Sequence, residues 1–233
     1  MNNKTIIWNG DSICAGSEKC GNWATRIASK YNMICKNYAV GGGTIGVNFP
    51  ICSGGEIRHS VLRTVDKMYE EYPDADYVIL EGGTNDADLI ELRDNAPHMS
   101  LGEFSLIDFS GNYDLNTFSG CLETLIYKAL RYWNGKKIGF IIPQKMGCIT
   151  AEFKVRRKYF DREVEILKKW GIPYIDMWHG CYLNPNLPQM YDSSKTAEEN
   201  REDNTCYYAD NQHLTSLGYD YTAEIIEKFL LDL

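Results

Sequence analysis

Short apolar segments alternate with longer amphipathic segments along the whole chain. The short segments are rich in β-branched and aromatic residues, which is typical of strands buried on both faces of a sheet. They cover residues 4–9, 33–40, 77–80, 138–142 and 173–176. Between them, apolar side chains recur every three or four positions, as on one face of a helix. These helical stripes cover residues 57–72, 118–133, 152–170 and 217–229.

The alternation of strands and helices predicts an α/β fold. Its parallel sheet of about five strands should carry helices on both faces, joined by right-handed crossovers. No linker or repeat divides the sequence, so we expect a single domain over residues 1–233. Ligands of such sheets bind beyond the carboxyl ends of the strands, so residues that directly follow a predicted strand are the candidates for a functional site.

The first candidate site residue is Ser12, which follows the first predicted strand in Gly10-Asp11-Ser12. A serine at a strand-to-helix turn presents its hydroxyl at the sheet edge, and its own N–H lies where a helix dipole favours negative charge. It could therefore act as a nucleophile and as an oxyanion donor. The alternative is an ordinary helix N-cap serine.

The second candidate is His213, which lies three residues after Asp210 and just before the last helical stripe. In a tight turn the Asp210 carboxylate can reach the imidazole and fix its tautomer. A loop histidine beside a solvated aspartate remains the alternative. Together with Ser12, these residues supply the hydroxyl, imidazole and carboxylate that acyl transfer through a serine ester requires.

Two glycine-containing segments follow the second and third predicted strands. In residues 81–86 the side-chain amide of Asn85 could stabilise an oxyanion, although Gly, Asn and Asp are also simply turn formers. Residues 41–46 match the dinucleotide pattern Gly-x-Gly-x-x-Gly. However, residues 48–50 interrupt any helix that should follow, and Asp66 falls inside a helical stripe. We therefore interpret residues 41–46 as a tight turn rather than as a nucleotide site.

Composition excludes several classes of protein. The chain of 233 residues is 44% hydrophobic and 24% charged, with a formal net charge of −8, which disfavours a nucleic-acid partner. No apolar run approaches the ~18 residues of a membrane span. The eight cysteines are scattered, and no signal peptide precedes the first strand, so we expect a cytoplasmic protein with reduced thiols. No metal-binding motif is present, and we expect neither a metal nor a cofactor.

The ordered set of fragments resembles the SGNH hydrolases, also called the GDSL esterase/lipase family. The four matching blocks are Gly10-Asp11-Ser12, residues 37–42, residues 83–86 and residues 210–213. Ile13 stands in place of the usual leucine, and Gly41 stands where many members have serine.

The resemblance implies a three-layer α/β/α fold of flavodoxin-like type. It also implies that Ser12 is the nucleophile, His213 the general base and Asp210 its orienting partner. The oxyanion hole would consist of the Ser12 and Gly42 N–H groups and the Asn85 side chain.

The expected function is that of a serine esterase that cleaves short acyl esters. We favour acetyl groups on carbohydrates, because the long segments 86–116 and 178–212 are polar and aromatic rather than aliphatic. An acyltransferase, a lysophospholipase or a thioesterase with the same triad remains an alternative. A carbohydrate-binding module without turnover is an alternative of another class, and a nucleotide-binding oxidoreductase is the weakest. Residues 86–116, 143–150 and 178–212 are expected to form loops that could wall a pocket.

Overall fold

The sheet of this protein has five parallel strands. The computed structural model describes residues 1–49, 57–92, 96, 98–147 and 151–233, with side chains from residue 154 onwards in the last range. The strands are Thr5–Asn9 (β1), Ile34–Asn37 (β2), Tyr77–Glu81 (β3), Lys137–Ile142 (β4) and Tyr174–Asp176 (β5). Each lies within or overlaps one of the predicted apolar runs, and the three central strands β1, β3 and β4 bury side chains on both faces of the sheet.

The strand order is β2-β1-β3-β4-β5, which is the flavodoxin-like order. Trp8 of β1 pairs in register with Asn37 of β2 on one side and with Ile79 of β3 on the other. All strand pairs are parallel, so the carboxyl ends of β1, β3 and β4 meet at one edge of the sheet. The predicted α/β fold with a parallel five-stranded sheet is confirmed.

Helices connect and cover the strands. Within the described residues they are Ser12–Ala15 (α1), Trp23–Lys30 (α2), Val61–Glu71 (α3), Thr84–Ala87 (α4), Phe118–Tyr132 (α5), Ala151–Trp170 (α6), Met177–Gly180 (α7), Ala197–Asp203 (α8) and Ser216–Asp232 (α9), with a π-helical turn at Asp88–Leu92. The crossover from β1 to β2 contains α2 and runs in one direction along the sheet. The later crossovers, which contain α3, α5 and α6, run in the opposite direction. Right-handed crossovers of opposite direction place their helices on opposite faces. Accordingly, α2 packs with α9, whereas α3 and α6 pack with α5.

The helix predicted from residue 57 begins later than the apolar stripe. Ser60 is its N-cap, and the Ser60 hydroxyl accepts a hydrogen bond from the N–H of Arg63 at 3.3 Å. The stripe included Ile57, but this side chain lies before the cap and is 74% exposed. The hydrophobic period therefore identified the helix, whereas the capping hydrogen bond fixes its first residue.

Two of the long segments predicted as loops contain short helices. The π-helical turn lies at the start of residues 86–116, and α7 and α8 lie in or overlap residues 178–212. Within α8, Thr196 and Glu199 form a capping box, which stabilises a helix too short to show a hydrophobic stripe.

The later part of segment 86–116 lies away from the carboxyl edge of the sheet. The rings of Phe109 and Tyr113 pack against Trp170, with centroids 5.0 Å and 6.3 Å away. Trp170 ends α6, directly before β5, and therefore lies towards the amino ends of the strands. Segment 143–150 differs, since its described residues 143–147 reach the turn at residues 210–213. The remaining residues, 148–150, lie outside the described part of the chain. One continuous apolar core supports our proposal that residues 1–233 form a single domain.

Candidate active site

Ser12 lies at the carboxyl end of β1, as the first residue of α1. The Asp11 carboxylate caps this helix by accepting a hydrogen bond from the N–H of Ile13 at 2.8 Å. The turn before it requires glycine, because a Cβ on Gly10 would lie 2.3 Å from the Glu81 carboxyl oxygen. These contacts present the Ser12 hydroxyl at the carboxyl edge of the sheet.

The structure brings Ser12, His213 and Asp210 together, although 201 residues separate the serine from the histidine. Ser12 Oγ lies 2.9 Å from His213 Nε2, and His213 Nδ1 lies 2.9 Å from Asp210 Oδ2. With the Nδ1 proton donated to the carboxylate, Nε2 is left as an acceptor for the serine hydroxyl. The arrangement has the geometry of a general base activating a nucleophile.

Asp210 is ionised in this setting. Burial raises the pKa of its carboxyl group, but hydrogen bonds from the ring and backbone of His213 and the charge of that ring outweigh burial and hold the pKa below its ordinary value. Asp210 Oδ1 accepts the N–H groups of Gln212 at 2.8 Å and of His213 at 2.7 Å. The carboxylate thus orients the imidazole and can stabilise its protonated form.

The glycine turn after β2 lies beside Ser12. Gly42 has φ +74°, a left-handed conformation that favours glycine. A Cβ on Gly41 would lie 4.0 Å from Ser12 Cβ. Within the described part of the chain, the amides of Ser12 and Gly42 donate to no other protein group. Both N–H groups therefore remain available to an oxyanion next to Ser12 Oγ.

Asn85, the third predicted oxyanion donor, lies between the two turns. Its Nδ2 donates to Gly43 O at 2.9 Å and to Asp11 Oδ2 at 3.2 Å. Both amide hydrogens therefore already have acceptors within the protein. The bond to Asp11 is the longer one, so an oxyanion would recruit this hydrogen more easily, and the role of Asn85 stays a prediction.

Asp86 lies in the predicted block 83–86, but sequence reasoning assigned it no role in the site. Its carboxylate accepts the N–H groups of Ile45 at 2.9 Å and of Gly46 at 2.8 Å, and so fixes the glycine turn. Burial raises the pKa of Asp86 to about 7, although the two backbone bonds lower it. A buried carboxylate that follows a predicted turn gives only a weak signal in sequence, because aspartate is common in turns.

A cavity of about 190 Å³ opens onto Ser12 and His213. Its other lining residues are Gly16, Ser17, Arg201, Leu214 and Tyr219. The guanidinium of Arg201 lies 3.6 Å from the Glu198 carboxylate and 3.9 Å from that of Asp210. The cavity is therefore small, and its lining combines the polar side chains of Ser17 and Arg201 with the apolar surface of Leu214 and Tyr219, which suits a compact substrate group.

The other three histidines have partners other than Ser12 or lie at the surface. His59 Nε2 lies 3.0 Å from Asn9 Oδ1, His179 pairs with Asp176, and His98 is exposed. Among the residues that the structure describes, no three His, Cys, Asp or Glu side chains are placed to hold a metal ion. None of the described helices is long and apolar enough to cross a membrane.

Buried carboxyl groups cluster beneath the site. Burial raises the pKa of Asp11 to about 6 and that of Glu81 well above its usual range. Glu163 on α6 is fully buried, and neither of its carboxyl oxygens has a hydrogen-bond partner among the described residues. Burial and the neighbouring carboxylates also raise the pKa of Glu163 well above its usual range.

Replacement of Glu163 by glutamine should reduce the loss of stability at alkaline pH. A carboxyl whose pKa is raised on folding stabilises the protein fully below its unfolded pKa of about 4.3, and this contribution is lost as the pH rises through the folded value. A glutamine side chain does not titrate, so its contribution to stability does not change with pH. Urea unfolding at about pH 5 and about pH 9 measures the effect, which we expect as a smaller decline in the free energy of unfolding in Glu163→Gln.

Glu165→Gln is the matched control, because Glu165 lies on the same helix with a side chain that is 57% exposed. It should leave the pH dependence of unfolding unchanged. Equal declines in wild type and Glu163→Gln would mean that Glu163 does not titrate on unfolding.

Comparisons with known proteins agree with this architecture. No protein-family model and no curated protein matches the sequence. A solved structure from Lactobacillus plantarum is 18% identical and covers 100% of this chain and 98% of its own, with a TM-score of 0.72. A carbohydrate acetylesterase from Sinorhizobium meliloti is 10% identical over 99% of both chains, with a TM-score of 0.62.

A third solved structure has the same fold. It is described as a GDSL-like lipase from Bacteroides ovatus, is 14% identical over 100% of both chains, and has a TM-score of 0.57. At these identities the likeness establishes the fold. This chain therefore has the SGNH (GDSL) hydrolase fold that its four sequence blocks predicted.

Proposed function

We propose that this protein is a serine esterase in which Ser12, His213 and Asp210 form the catalytic triad. The observation that carries the proposal is the 2.9 Å contact between Ser12 Oγ and His213 Nε2, with Asp210 on the other ring nitrogen. The similarity to a carbohydrate acetylesterase and a GDSL-like lipase supports it.

In the acylation step, His213 Nε2 takes the proton of Ser12 as Oγ attacks the ester carbonyl carbon. The carbonyl oxygen becomes an oxyanion, which accepts hydrogen bonds from the Ser12 and Gly42 N–H groups and from the Asn85 amide. Donors of this kind each contribute about 2.7–4 kcal/mol of transition-state stabilisation. Asp210 stabilises the imidazolium that forms.

Collapse of the tetrahedral intermediate breaks the bond to the alcohol, which leaves with the proton from His213. Water then enters, gives a proton to His213 Nε2 and attacks the acyl group on Ser12. The second tetrahedral intermediate releases the carboxylic acid and restores the serine hydroxyl. Each proton that His213 takes is returned in the same half-reaction, so the cycle needs no further reagent.

We propose short acyl esters, above all acetyl esters of carbohydrates, as the substrates. The cavity beside Ser12 is small, at about 190 Å³, whereas sites for drug-sized ligands span about 300–1,000 Å³. Its serine and arginine side chains can donate hydrogen bonds to sugar oxygens. An aliphatic chain would leave these donors without partners.

Kinetics on a series of p-nitrophenyl esters tests the proposal. We expect kcat/KM to be highest for the acetate and to fall from butyrate to octanoate, because longer chains exceed the cavity. Absence of turnover on every ester would contradict the esterase assignment. A preference for octanoate would contradict the short-chain assignment and favour a lysophospholipase or thioesterase. Hydrolysis of acetylated xylo-oligosaccharides tests whether the alcohol part of the substrate is a carbohydrate. With excess acceptor alcohol, ester exchange faster than hydrolysis would indicate an acyltransferase.

A further inference from the structure

The side chain of Gln212 ties the catalytic turn to a distant helix. Gln212 lies between Asp210 and His213 in the chain, and its Oε1 accepts a hydrogen bond from Arg156 Nη2 at 3.1 Å. Arg156 belongs to α6, and its side chain is only 6% exposed. A buried guanidinium therefore contacts the two-residue link that separates the proposed base from its carboxylate.

Arg156 is itself fixed by Asp88. Its Nε and Nη2 donate to the two carboxylate oxygens of Asp88 at 2.9 Å and 2.7 Å. Such a bidentate pair restrains the guanidinium plane as well as its position. Asp88 begins the π-helical turn that directly follows α4, the helix that carries Asn85. The Arg156 side chain thus connects the segment that carries Asn85 to the turn that carries His213.

Two further bonds hold the same turn through its backbone. Gln144 Nε2 donates to Gln212 O at 3.0 Å, and the N–H of Gly147 donates to Asn211 O at 2.7 Å. Both donors lie in the segment after β4. Arg156 adds the restraint on the side chain of Gln212, so the turn is held from two different elements.

We propose that Arg156 is a positioning residue of the active site, acting on His213 through Gln212 and on the Asn85 segment through Asp88. This inference rests on the proposed esterase function. Through these two contacts Arg156 would keep His213 Nε2 within reach of the Ser12 hydroxyl. A misplacement of about 1 Å in such a constellation can cost about a hundredfold in rate.

Gln212→Met is the most informative variant, because it keeps the length of the side chain and removes the oxygen that Arg156 binds. Gln212 is only partly buried, so the fold should tolerate the change. We expect kcat on p-nitrophenyl acetate to fall about tenfold with KM nearly unchanged, since the substrate cavity is untouched while the base is less well placed.

Gln212→Glu keeps an acceptor oxygen for Arg156 and should restore kcat to within about threefold of wild type. Gln189→Met is the matched control, because Gln189 is exposed in the same segment 178–212 and should leave kcat unchanged. Arg156→Met is less useful, since it leaves the buried Asp88 carboxylate without its partner and would destabilise the protein.

A loss of kcat in Gln212→Met that Gln212→Glu restores supports the positioning role. A Gln212→Met kcat within twofold of wild type would overturn it, as would equal losses in the methionine and glutamate variants. A lower unfolding midpoint without a change in kcat would also overturn it, because it indicates a structural role only. These outcomes are distinct from failure of the esterase proposal, in which wild-type protein itself would not turn over the ester.

Discussion

Replacement of Ser12 by alanine should reduce the turnover of p-nitrophenyl acetate by about four to six orders of magnitude. The variant keeps the oxyanion donors and the cavity but has no oxygen that can form the acyl-enzyme. Residues of a catalytic triad act as a unit, and loss of the nucleophile alone costs about as much as loss of all three. Steady-state kcat and KM for the acetate measure the effect, and far-ultraviolet circular dichroism confirms that the variant is folded.

Ser29→Ala provides the matched control, because Ser29 is an exposed serine on α2, away from the cavity. Its kcat should equal that of wild type. A fluorophosphonate probe gives an independent readout, since it should label wild type on the peptide that contains Ser12 and should not label Ser12→Ala. Retention of full activity or of labelling in Ser12→Ala would remove Ser12 from its proposed role.

The fold could be predicted from the sequence because its signals are local. β3 is buried at every position from Tyr77 to Glu81, and an apolar run reports that burial directly. β2 was predicted to reach residue 40 but ends at Asn37. It lies at the edge of the sheet, with Ile34 60% exposed, so apolar character no longer marks the strand and its ends become uncertain.

The residues that support the site could not be predicted in the same way. Arg156 lies in a helix with many other charged residues, and nothing in its neighbourhood in the sequence indicates that it meets Asp88 and Gln212. Glu163 shares that helix and looks like a solvated residue, yet it is fully buried. The two partners of Arg156 are 68 and 56 residues away in the sequence, and only the packing of α6 brings these groups together.

The sequence also contains a second Asp-x-x-His fragment, Asp176 to His179, which local pattern alone does not distinguish from Asp210 to His213. Both make the same contacts between histidine and aspartate, although Asp176 caps the helix α7 and residues 210–213 form a bend. The N–H and Nδ1 of His179 lie 3.1 Å and 2.7 Å from the two carboxylate oxygens of Asp176, much as His213 contacts Asp210. The ordered set of four blocks in the sequence includes His213 but not His179. The structure adds the distinguishing fact, since His213 Nε2 contacts Ser12 and His179 is half exposed.

Replacement of His213 by alanine should therefore reduce turnover by about four to six orders of magnitude, whereas His179→Ala should keep kcat within about twofold of wild type. Without the imidazole, no group takes the Ser12 proton during attack or protonates the departing alcohol, and the oxyanion donors alone give only residual catalysis. The two variants remove the same side chain from equivalent contacts with an aspartate, so their difference reports the contact with Ser12. Fluorophosphonate should label Ser12 slowly in His213→Ala and at nearly the wild-type rate in His179→Ala. Equal losses in both variants, or near wild-type activity in His213→Ala, would show that His213 is not the base.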